Sequence, residues 1–239
     1  METLLRPETW IALITLTALE IVLGIDNIIF LVVMAARLPE RQRARARTLG
    51  LAGAMITRIL LLLSIALLAR LTAPLLVLFG SEFSGRDLVL IAGGIFLIAK
   101  STLEIHAQTE GENTPPPAGA SAFAAVVLQI AVIDIVFSLD SVITAVGMTK
   151  VIGVMVAAIV IAIVIMMLFA GAVSRFVEAN PTIKTLALAF LILIGAALVG
   201  EGFGTELDKG YIYFAMAFST AVEVLNTRLR KKRAGSHAQ

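Results

Sequence analysis

The chain has 239 residues, 59% of them hydrophobic and only 15% charged, against about 25% charged in ordinary soluble domains. A mean hydropathy of +0.98 over that length exceeds what one buried core supplies, and a first apolar run that holds acids and is followed by others excludes a secretory signal on a soluble protein. The absence of cysteine excludes disulfides and thiolate chemistry, and a formal charge of +2 with its cations gathered in loops reads as membrane topology, not nucleic-acid binding.

A helix needs about 20 apolar residues to cross about 30 Å of hydrocarbon. In chain order, seven segments come near that length: 10–36, 48–69, 87–105, 121–147, 151–174, 183–203 and 210–227, the last the shortest. The patch LLVLF at 75–79 is too short to span and is expected in a loop at the interface. The link RLPERQRARAR carries Arg37, Arg41, Arg43, Arg45 and Arg47, and the tail carries Arg228, Arg230, Lys231, Lys232 and Arg233. The positive-inside rule puts both clusters in the cytoplasm, so an odd number of spans leaves the N-terminus outside. The polar segment HAQTEGENTPPPAG at 106–119 then falls inside, as a joint between two halves.

Across that joint the sequence repeats. LEIVLGIDNII at 19–29 aligns with IDIVFSLDSVI at 133–143, a constant offset of 114 residues. Glu20 aligns with Asp134, Asp26 with Asp140, Gly24 with Ser138 and Asn27 with Ser141. Three spans per half is an odd number, so the halves are expected to have inverted topology, a common transporter design with its substrate site near the midplane. The expected fold is an all-α polytopic membrane protein of seven spans. Residues 1–105 form the first three-helix repeat, 106–120 a cytoplasmic linker and 121–205 the second repeat; 206–239 add the seventh helix and basic tail.

A carboxylate at a helix centre costs about 2.5–3.5 kcal/mol on insertion scales, so these acids must face a cavity, a partner or an ion. Residues seven apart share a face, which makes stripes of Glu20 with Asn27 and of Asp134 with Ser141. Residues six apart differ by about 120° on a straight helix. Convergence of all four acids therefore predicts a break near Gly24 and Ser138, whose freed carbonyls would also bind a cation. The donors in the two motifs are all oxygen, which suits Mn, Mg or Ca. Neither His106 nor His237 lies in a span, which disfavours zinc and copper.

The alternative is a structural role, with Arg58, midway along the second span, pairing with one of the acids. Lys100 and Glu104, four apart, are expected to pair with each other. Glu201, Glu223 and Asn226 lie near span ends, and Met166 and Met167 read as packing residues. No Ser, His and Asp grouping lies within the spans, so no enzyme is expected, and no lysine lies in 211–227 to hold a retinal-type cofactor.

EIVLGIDNIIFL and DIVFSLDSVITAVG, with LARLTAPLLVLF, ALAFLILIGAALVGEGF and KGYIYFAMAFS, together resemble the TerC family of bacterial integral membrane proteins over residues 9–227. The chain looks closest to short members without a cytoplasmic CBS domain. The resemblance implies a seven-span inner-membrane transporter in the broad superfamily of LysE-type exporters, associated with manganese export and with supplying manganese to secreted metalloenzymes. Carried over by position, the implied metal residues are Glu20, Asp26, Asn27, Asp134, Asp140 and Ser141. Some members have a His and a Pro before the KGY segment, where this chain reads GTELDKGY.

Two functions follow as expectations. One is a secondary exporter of a divalent cation, Mn2+ first, by alternating access with coupling to inward protons; the ion is substrate, and no permanently bound cofactor is expected. No P-loop motif offers ATP as a driver. The other is a non-transporting scaffold in a stress-response or secretion-linked complex, docking partners through its basic loop and tail. The expected surroundings are the lipid bilayer and the transported ion, with no nucleic acid, and a homo-oligomer is compatible with either.

Overall fold

Backbone in hydrocarbon must satisfy its own hydrogen bonds, and helices do so within one segment. The computed structural model accordingly contains helices and a single short hairpin among its described residues, which are 7–64, 72–78, 81–110, 119–205 and 209–236. The side chains of residues 25, 26, 78, 81, 140, 209 and 230–236 lie outside that description.

The first helix, α1 (Pro7–Ala36), is followed by α2 (Glu40–Leu63) after a tight link, in which the amides of Arg37 and Leu38 donate to the carbonyls of Met34 and Ala35. Helix α2 starts at Glu40, well before the apolar run expected from 48. The Glu, Gln, Arg and Ala of ERQRARAR are strong helix formers, so the helix extends through the arginine-rich stretch ahead of the apolar one. Residues 65–69 of the expected span lie outside the described residues.

The patch expected in a loop instead forms strand β1 (Pro74–Leu78), paired antiparallel with β2 (Ser81–Ser84) through Leu76 opposite Phe83 and Val77 opposite Glu82. An apolar run too short to span still satisfies its backbone by pairing. Ser84 then caps α3 (Gly85–Thr109) with a reciprocal capping box: its amide donates to Asp87 Oδ2 at 2.8 Å and its hydroxyl accepts from the Asp87 amide. Beyond lie α4 (Ala120–Met148) and α5 (Ile152–Ala179). They are followed by α6 (Pro181–Gly202), which opens with proline at its first position, and α7 (Lys209–Ser236).

Among the described residues six helices, α1 to α6, are long and apolar enough to cross a membrane. Helix α7 is not among them: it runs past the expected 210–227 into the basic tail. The architecture is that of an all-helical membrane protein.

Helix α1 packs on α5, α2 on both α4 and α5, and α3 on α6, while α7 lies against α6. Phe30 to Ala35 of α1 are all buried, the signature of a helix enclosed on every side. At the α3–α6 crossing the backbones touch: a Cβ on Gly94 would lie 2.5 Å from the Gly195 carbonyl, and one on Gly195 2.8 Å from the Gly94 carbonyl.

The expected helix break is absent. Helix α1 is continuous through residues 22–27, and α4 through Ser138. That expectation requires all four acids to converge; a straight helix needs to aim only one of its two acids, with the rest of that acid's stripe, at the partner helix.

Candidate functional site: a buried ion cluster between α1, α2 and α4

Arg58 is 2% exposed, and a guanidinium cannot lose its proton to escape burial. It needs acceptors, and it finds two. One amino group, Nη1, donates to Glu20 Oε2 from α1, and the other, Nη2, donates to Asp134 Oδ1 from α4 at 3.1 Å. Glu20 and Asp134 are themselves 3% and 4% exposed. The carboxylates that align between the halves of the sequence thus meet at one cation inside the protein.

Further donors complete Asp134. Asn27 Nδ2 donates to its Oδ1 at 3.1 Å, so the Glu20–Asn27 stripe faces α4 as the seven-residue spacing predicts. The hydroxyls of Thr57 and Ser138 reach its Oδ2 at 3.2 and 3.1 Å. Oδ1 therefore takes two donors, Asn27 and Arg58, against the several kcal/mol that desolvating such an ion costs. The hydroxyls near Oδ2 have closer acceptors in the carbonyls of Asp134 at 2.5 Å, for Ser138, and Ala54 at 2.9 Å, for Thr57. Asn27 Oδ1 and Arg58 Nε have no hydrogen-bond partner among the described residues. A cavity of about 10 Å³, lined by Asn27 and Asp134 with Phe30, Leu51, Ile130 and Phe137, adjoins the cluster; it is the size of one water molecule.

Of the six residues singled out by sequence, the fold brings together Glu20, Asn27 and Asp134. Ser141 is buried two turns along α4 from Asp134, where its hydroxyl donates to the Ser138 carbonyl at 3.3 Å. Asp26 and Asp140 sit on α1 and α4 with side chains outside the described residues. Among the described residues no three His, Asp or Glu gather as a metal cage; the position between Glu20 and Asp134 belongs to Arg58. Thr57 and Ser138 are additions that the sequence reading missed as donors. Their signal was adjacency: Thr57 precedes the lone mid-span arginine, and Ser138 lies one turn from Asp134.

A second set of ion pairs lies where the arginine-rich link meets the ends of α3, α5 and α6. Glu104 does not pair with Lys100 as expected. It accepts from Arg37 Nε at 2.6 Å and lies 3.5 Å from Lys184 Nζ, because the α1–α2 link and the start of α6 present cations closer than the next turn of its own helix. Arg43 approaches Glu178 at 3.4 Å, and Arg47 donates to Ser174 Oγ at 2.9 Å. Toward the opposite ends of α3 and α6, Arg86 pairs with Glu201.

The sequence matches the family model described as "Integral membrane protein TerC family" over residues 5–236. It is 54% identical over 238 residues to a UPF0053 protein of Haemophilus influenzae, covering 96% of this chain and 98% of that one. The UPF0053 inner membrane protein YgdQ of Escherichia coli is 55% identical over 226 residues, covering 95% of each. A longer E. coli protein, the UPF0053 inner membrane protein YoaE, is 47% identical over 233 residues, covering 97% of this chain and 45% of its own. No solved structure matches.

Proposed function

The chain belongs to the TerC family of integral membrane proteins, and from that premise we propose that it is a secondary transporter exporting a divalent metal cation, Mn2+ first, across a bacterial inner membrane. The observation that carries this reading is the meeting of Glu20 and Asp134, aligned acids of the two halves, at one guanidinium inside a membrane protein. Buried intramembrane ions of this kind mark ion pathways and proton relays.

The packing supports an inverted repeat. Exchanging the halves turns the α1–α5 contact into the α4–α2 contact, and both are present. It maps the α3–α6 crossing onto itself, as a pseudo-two-fold axis requires. The ion pairs of Arg37 and Arg43 with Glu104 and Glu178 gather where the arginine-rich link lies. That supports a cytoplasmic face there, with the N-terminus outside and α7 as a seventh, C-terminal span leading into the cytoplasmic tail.

In this mechanism the site of Glu20, Asp26, Asn27, Asp134, Asp140 and Ser141 opens first to the cytoplasm and then outward. Moving a cation out against a negative-inside potential costs about 2.3 kcal/mol per charge per 100 mV, so protons moving inward supply the drive. Glu20 or Asp134 takes a proton as the metal leaves. Proteoliposomes reporting Mn2+ flux test this. Loss of flux is expected in Asp26→Asn with Asp140→Asn and in Glu20→Gln with Asp134→Asn; flux equal to wild type in both sinks the proposal.

A further inference from the structure

We propose that Arg58 is a tethered counter-cation: its guanidinium holds the position between Glu20 and Asp134 that the transported ion takes in its turn, and so lets the carrier reset without a bound ion. The inference rests on the exporter reading and specifies how its site is regulated.

Three observations carry it. The guanidinium contacts both carboxylates at once, from a third helix, so a cation seeking both must displace those same two contacts. Its remaining nitrogen, Nε, has no partner among the described residues, and the hydrogen bonds that hold the group go to the two acids. No described hydrogen bond or ion pair holds the guanidinium apart from those to the groups an ion would claim, so an ion taking those groups leaves it without a polar partner among the described residues. Finally, with both carboxylates ionised the trio carries one net negative charge, where the acids alone would carry two. Reorienting a site through the low-dielectric interior is costly in proportion to its uncompensated charge. A carrier with a resident guanidinium returns with half the uncompensated charge that this pair would otherwise carry. Without it, the bound metal becomes the main means of neutralising the pair, and the protein becomes an exchanger.

The ordinary alternative is a permanent structural triad, and the two make different predictions for transport mode. The full chain is reconstituted in proteoliposomes and radiolabelled Mn2+ is followed in two assays: net movement into a Mn-free compartment, and exchange with Mn2+ on both sides. Wild type is expected to show both. Arg58→Met is expected to lose net movement by about tenfold or more while exchange stays within about threefold of wild type, because only the unloaded return step lacks its counter-charge. Arg58→Lys retains both modes at low pH. Its net movement, and not its exchange, then falls as pH rises beyond the wild-type profile, since a buried lysine can lose its proton and a guanidinium cannot.

Parallel loss of both modes in Arg58→Met, or unchanged net movement, overturns the inference. If Arg58→Met is not recovered folded, Arg58→Lys decides: identical pH profiles for the two modes overturn it. Exchange without net movement in wild type also overturns it while leaving metal transport standing. No Mn2+ movement of either kind in wild type removes the exporter reading itself, and this inference with it.

Discussion

Glu20 and Asp134 align in the two halves of the sequence and share one arginine, yet their surroundings differ. Among the described residues Glu20 is met by Arg58, whereas Asp134 is met by Asn27, Thr57, Arg58 and Ser138. The neighbouring helices explain the difference. Helix α2 brings an arginine and a threonine to α4, while α5 brings Met166 to α1 at Gly24, the position aligned with Ser138. One half therefore supplies an ion held from several sides and the other an ion held through its cation. Asp134 is thus the anchored carboxylate of the pair, and Glu20 the one whose described partner is the cation alone.

The strongest way to break this comparison is to remove what the two acids share. Arg58→Met leaves two buried carboxylates without their cation and is expected to lower stability by about 3–5 kcal/mol, read as thermal unfolding in detergent. A loss below about 1 kcal/mol, the value of an exposed pair, would show the triad is not shielded from water. Next in size is the difference between the acids. Asp134→Ala leaves both Asn27 Nδ2 and Arg58 Nη2 without their acceptor, and Glu20→Ala leaves only Arg58 Nη1 without its own. Asp134→Ala should cost more by about 1.5–3 kcal/mol, the worth of a hydrogen bond to a charged group; the reverse order would place the anchor in the first half.

Much of this was legible in the sequence, and the reasons for the rest are specific. The aligned acids and the Glu20–Asn27 stripe could be read because a helix has one period and lipid tolerates few carboxylates. The break at Gly24 is a wrong inference from a correct angle: it requires convergence of four acids, whereas Arg58 gathers one acid from each helix. Which acids Arg58 meets depends on the packing of three helices distant in sequence, and no local spacing encodes that. The Glu104 partner was missed for the same reason, since an i, i+4 lysine competes poorly with cations delivered by a tight link and another helix. Gly94 and Gly195 set the α3–α6 approach, but two glycines in separate apolar runs look alike whether or not they touch.

A smaller effect tests the difference at the aligned small residues. A Cβ on Gly24 would lie 2.5 Å from Met166 Sδ, so Gly24→Ala must displace a buried but flexible thioether. Overpacking of about 1–3 kcal/mol, less about 1 kcal/mol of helix propensity gained, predicts a net loss of about 1 kcal/mol. In a Met166→Ala background the clash is gone, and the same Gly24→Ala change should stabilise. If its sign does not change, Met166 is not what requires glycine at this position.

The smallest expected effect decides which donors make Asp134 the anchor. Thr57 has one hydroxyl proton and three acceptors in reach: the carbonyls of Ala54 at 2.9 Å and Gly53 at 3.1 Å, and Asp134 Oδ2 at 3.2 Å. The nearest is a carbonyl of its own helix, the usual bond of a threonine inside a helix. The proton therefore goes mainly to Ala54, and Thr57→Val should cost only about 0.5 kcal/mol and leave Mn2+ flux near wild type. Asn27 Nδ2 has no such competitor among the described residues, so Asn27→Ala should reproduce most of the gap between Asp134→Ala and Glu20→Ala. Should Thr57→Val cost as much as Asn27→Ala, the hydroxyl proton lies on the carboxylate. The asymmetry would then come as much from what α2 delivers as from Asn27 of α1.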